Sequence, residues 1–150
     1  MKKAIRTFAI VLPLLSSACA VTAVMHPTIS GSITVTGAGG SPEQWSPDRC
    51  VSGDLAYFAG FDFLSTHDQG HLRAALNPID GPVVRWSSGG AAADTALIMR
   101  RDNCALLEVD VQPTRWWVND VREFAGHVTL SCTVADGRQI EGRIEVDHCH

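Results

Sequence analysis

CALLEVDVQ (104–112) and HVTLSCTV (127–134) carry the period-two alternation that decides the fold. In the first, Leu107, Val109 and Val111 oppose Leu106, Glu108, Asp110 and Gln112; in the second, Val128, Leu130, Cys132 and Val134 oppose His127, Thr129, Ser131 and Thr133. Successive side chains of a strand point to opposite faces, so each run reads as a strand with one buried and one solvated side. Asp136-Gly137 is the strongest hairpin signal in the chain, because tight hairpin turns need residues that tolerate positive φ. It leads into 139–147, where Ile140, Ile144 and Val146 share a face.

Shorter runs of the same kind precede this group. Residues 29–36 alternate Gly31, Ile33 and Val35 with Ser32, Thr34 and Thr36, and 37–50 reads as a loop broken by glycine and proline. Strands are expected at 54–64, kinked at Gly60, and at 71–76, 83–87 and 95–100, with turns at Asn77-Pro78, Asp80-Gly81 and 101–103. With 13 Gly, 7 Pro and no long helical apolar face, the expected fold is all-β, a single sandwich or open barrel of about seven to nine antiparallel strands.

The N-terminus reads differently. Lys2, Lys3 and Arg6 precede an uncharged run from Thr7 to Ala18 that is too short to span a bilayer, the pattern of a signal peptide over 1–18. Residues 19–28 read as a tether and 29–150 as one β-rich domain. Ser16-Ser17-Ala18-Cys19 resembles a bacterial lipobox, with Ser16 where leucine is usual, and the resemblance implies lipidation of Cys19 as the first mature residue. Ala18-Cys19-Ala20 also fits simple cleavage before Val21, and both routes stay open. In layout, a leader, a tether, one β-rich domain and a cysteine near the C-terminus, the chain is similar to small exported bacterial lipoproteins. That resemblance implies an envelope location, in the outer membrane or periplasm, with the membrane as partner through the anchor. It implies no activity, and the alternative is a secreted protein.

The leader takes three of the 12 basic residues and none of the 16 acidic ones, which leaves nine against 16, a net charge of -7. Nucleic acid is therefore excluded as a partner. All nine are arginine, which codon bias explains first and a choice of bidentate donors second. Either cleavage leaves Cys50, Cys104, Cys132 and Cys149 to pair, and an even count in an exported chain reads as disulfides. Cys104 with Cys132 and Cys50 with Cys149 is the favoured connectivity. Strict alternation opposes it by putting Cys104 and Cys132 on different faces. A bulge after Asn103 would reconcile them; without one, Cys50 with Cys132 gains ground.

Three groups of residues are candidates for function. Trp116-Trp117, with Arg115 and Asn119, sits on the connection between the two clearest strands; one indole is expected to fill the core and the other to offer a contact for an envelope protein or glycan. His67 and His71, four apart, and His148 and His150, two apart, are the alternative, a zinc or copper site. Glu108 and Asp110 share the polar face of one strand, where a solvated role is the default. No G-x-S-x-G, H-E-x-x-H, P-loop or S-x-x-K pattern occurs in the mature chain, so the expected protein is a binding or structural module that is not an enzyme and needs no cofactor.

Overall fold

The computed structural model describes residues 26–37, 40–89 and 96–150. The expected signal peptide, Cys19 and most of the tether lie outside the described residues. Ten strands follow in order: β1 (Thr28–Thr36), β2 (Glu43–Trp45), β3 (Arg49–Ser52), β4 (Ala59–Leu64), β5 (His71–Asn77), β6 (Gly81–Ser87), β7 (Leu97–Met99), β8 (Cys104–Val118), β9 (Val121–Thr133) and β10 (Gln139–Cys149). They form two open antiparallel sheets of five strands, ordered β2-β1-β10-β9-β8 and β3-β4-β5-β6-β7. The architecture is a β-sandwich. Edge strand β8 touches β4, β5 and β6 in turn, so the strands of the two sheets cross rather than run side by side.

The alternation seen in the sequence is what the core uses. Ile33, Val128, Leu130, Ile140 and Ile144 of the first sheet pack against Phe61, Phe63, Leu72, Val84, Trp86 and Met99 of the second, all nearly or fully removed from solvent. Gly126 and Gly142 kink the long strands β9 and β10 at φ of 148° and 147°. A Cβ at these positions would stand 2.1 Å from the Asp110 carbonyl oxygen and 2.2 Å from that of Ser32, so only glycine lets the partner strands approach while the sheet coils.

Three segments differ from the sequence expectation. The loop expected over 37–50 contains β2, where Trp45 plugs the core and donates through Nε1 to Asp68 Oδ1 at 3.1 Å, and the start of β3. The strand expected from 54 begins only at Ala59. Ser52 Oγ accepts from Asp54 N, and this cap nucleates a 3-10 turn over Gly53–Ala56 that Tyr57 ends in the left-handed region. Finally β8 and β9 extend well past 112 and 127 and replace the expected connection with a continuous hairpin.

The disulfides join Cys50 to Cys149 and Cys104 to Cys132. The face conflict between Cys104 and Cys132 is resolved by a bulge: Cys104 pairs with Cys132 and Leu106 with Ser131, leaving Ala105 as the extra residue. One bridge staples neighbouring strands of the first sheet, and the other ties the end of β10 to β3 across the sandwich. Two disulfides in so small a domain suggest an oxidising, non-cytoplasmic environment.

Candidate functional site

Asn119-Asp120 turns the chain between Val118 and Val121, with both residues left-handed at φ of 49° and 65°. Asn and Asp bear that conformation better than other side chains, so Asn119 is a turn former here. The flanking PTRWWV (113–118) continues the edge strand. Pro113 is tolerated because an edge strand has a side without ladder partners.

Beyond Phe124 the hairpin loses β10 as a neighbour, since Cys149 pairs with Phe124 and the strand ends there. No sheet covers this tip, and Trp116 and Trp117 are 56% and 57% exposed. The expectation that one indole fills the core is therefore overturned: both rings stand at the surface, Trp116 where the register of β8 is irregular and Trp117 in register with Arg122. Trp117 lies opposite Arg122, whose guanidinium sits 5.0 Å from the ring centroid. That cation–π contact fixes the indole on its face of the hairpin. Arg115, beside Trp116, is also exposed.

The base of the hairpin is held by a device the sequence did not reveal. Glu123, 2% exposed, accepts from Thr114 Oγ1 at 2.9 Å and from His148 Nδ1 at 2.8 Å. Bulges in both neighbouring strands aim these donors. Between the pairs Pro113–Phe124 and Trp117–Arg122, residues 114–116 of β8 face Glu123 alone, and between Val146–Gly126 and Cys149–Phe124, β10 carries one extra residue. His148 takes a left-handed φ of 59° in that second bulge. The Glu123 hydrogen bond raises the His148 pKa, with burial opposing and Asp147 adding to the effect. A second tie comes from Ser52 and Asp54: Ser52 Oγ donates to the Arg122 carbonyl at 2.7 Å, and Arg122 N donates to Asp54 Oδ2 at 2.8 Å. Exposed Leu55 and Tyr57 stand on this same turn.

The four histidines are not brought together. Gly70 and Gln69, the latter at φ of 56°, make His67 to His71 a turn instead of a helix, with Asp68 Oδ1 accepting from Gly70 N at 2.8 Å. His67 is exposed near Asp48, whereas His71 donates from Nε2 to Asp62 at 2.8 Å. His148 serves Glu123, and His150 Nδ1 donates to the His148 carbonyl at 3.0 Å. Among the described residues no three His, Cys, Asp or Glu side chains converge as metal ligands. Glu108 and Asp110 flank His127, at 3.4 and 3.8 Å from its ring nitrogens.

Compared with protein-family models, with curated proteins and with solved structures, the chain finds no match.

Proposed function

We propose that the protein is an exported, non-catalytic binding module, held at the cell envelope through lipidated Cys19, that engages a partner protein with its β8–β9 hairpin tip. The observation that carries this reading is the pair of half-exposed indoles, Trp116 and Trp117, on a ribbon whose base is pinned by buried Glu123 and by Ser52. Folding normally hides tryptophan, and a large aromatic presented on a rigid support is the residue type that dominates protein contacts. Two neighbouring exposed indoles suit burial in a partner protein's pocket, where aromatic anchors concentrate the binding energy. Arg115 adds a charged donor at the rim, and Asn119 supplies the turn that presents the others.

A photo-crosslinking residue placed at Trp116 or Trp117 in living cells tests the reading, with Glu141 on the outer face of the first sheet as control. A discrete adduct from the hairpin positions and none from Glu141 is expected, together with melting of Trp116→Ala and Trp117→Ala within about 2 °C of the parent, because surface changes stay near ±0.5 kcal/mol. Adducts equal at all three positions, or a large stability loss from either alanine, would sink it.

A further inference from the structure

The outer face of the second sheet carries an arrangement that the hairpin reading leaves unused. Asp62 is its one inward-set carboxylate, and both of its oxygens are occupied: Arg73 donates from Nε and Nη2 at 2.8 Å each, and His71 from Nε2 at 2.8 Å. Burial opposes ionisation of Asp62, but these hydrogen bonds outweigh it and hold the pKa below the ordinary carboxylate value. Arg73 also stacks 4.9 Å above Phe58, which leaves Nη1 as its free end. Directly across the ladder from Arg73, in register, stands Arg85.

Two like charges opposite each other on adjacent strands destabilise a sheet. Arg73 has its carboxylate, whereas Arg85 is exposed and in no ion pair among the described residues. Hollows open on either side of this pair. His71 and Ser87 line one with the two arginines, and Arg100 and Asn77 line the other, where Asp80 is held by Asn77 Nδ2. Among the described residues the first hollow, about 190 Å³, presents donors and no unspent carboxylate. The cationic character is local in a chain of acidic balance: Glu108, Asp110, Glu141 and Glu145 alternate with core residues on the outer face of the opposite sheet.

We infer that the Arg73–Arg85 pair is a binding site for a phosphate group, with Ser87 and Arg100 as flanking donors. A dianion between the guanidiniums converts their repulsion into two charge-assisted contacts, Arg85 through paired N–H donors and Arg73 through its free Nη1. Arg73, already fixed by Asp62 and Phe58, loses little freedom on binding.

The test titrates the full disulfide-bonded chain with inorganic phosphate at constant ionic strength set by chloride, following thermal unfolding. Glucose 6-phosphate in a parallel titration tells free from sugar-borne phosphate by which binds more tightly. A saturable rise of about 5 °C at ten times Kd is expected. Arg85→Gln should weaken phosphate binding by about tenfold or more while melting at or above the parent in chloride alone, since it removes the like-charge neighbour. Arg138→Gln, at the distant Asp136 turn, should bind as the parent does. No saturable rise with either phosphate, or an equal rise in Arg85→Gln, overturns the site. A marked loss of stability in Arg85→Gln without ligand would make Arg85 structural and overturn it equally.

Discussion

Replacing Glu123 tests whether the hairpin is held from below. Its carboxylate is 2% exposed and receives hydrogen bonds from Thr114 and His148. Hydrogen bonds to a charged group contribute about 1.5–3 kcal/mol each, and alanine relieves the burial cost of the carboxylate, so Glu123→Ala should lose about 2–4 kcal/mol. His148 is 24% exposed and can recruit water, which places the expected value in the lower half of that range. Glu123→Gln keeps the shape and an acceptor while removing the charge. The pH dependence then separates electrostatics from packing. The folded pKa of His148 is raised, so its stabilisation is complete below the unfolded value near about 6.5 and is lost as pH rises through the folded value. The parent should therefore lose this increment on going to alkaline pH, and Glu123→Gln should lose most of the dependence, Asp147 supplying the remainder. The gap between parent and Glu123→Gln is thus widest in mild acid. Urea unfolding on the acid and alkaline sides of neutrality reads this directly. A gap of equal size at both, or a Glu123→Ala variant within about 0.5 kcal/mol of the parent, would refute the reasoning.

The two disulfides should differ in worth. Their sequence separations of 99 and 28 residues correspond in the chain-entropy model to about 4.7 kcal/mol for Cys50–Cys149 and about 3.6 kcal/mol for Cys104–Cys132, so urea unfolding should find Cys50→Ala/Cys149→Ala the weaker of the two double variants. The opposite order would mean that the neighbouring-strand staple constrains more than its loop length implies. The intact mass of the protein from an envelope fraction should fit a chain beginning at acylated Cys19 and should rise by about four mass units on reduction of two disulfides. An unmodified chain beginning at Val21 would remove the membrane anchor from the proposal and leave the hairpin surface untouched.

Alternation is local, and it could be read. Val128, Leu130 and Cys132 announce their shared face because period two is imposed by the backbone of a single strand, and Asp136-Gly137 announces a turn because few residues accept its dihedrals. Gly60 stands at the start of β4 rather than at a kink within a longer strand, and its φ of 154° lets the Ala74 carbonyl approach. Bulges are not local. The 114–116 segment and His148 stand where one strand carries more residues than its neighbour, so they exist only in the register of a pair, and the bulge at Ala105 is legible only through the disulfide that demands it. That is why Glu123 went unnoticed: its burial depends on two irregular strands closing over it. The exposure of Trp116 and Trp117 is of the same kind. Their residue type argued for burial, and only the place where β10 ends decided that nothing would cover them. The Arg73–Arg85 pair shows the division most plainly. Each arginine sits on a polar face that its own strand specifies, but their confrontation is a property of the sheet, made by the pairing of β5 with β6. Neighbours along the chain suffice for the faces of the long strands and for the Asp136-Gly137 turn, so those could be read, whereas β2 exists only by pairing with β1 and the ends of β8 and β9 only by pairing with each other. Which faces meet, which ends stay bare and which charges stand opposite each other depend on residues far apart in the chain, and so belong to the folded molecule.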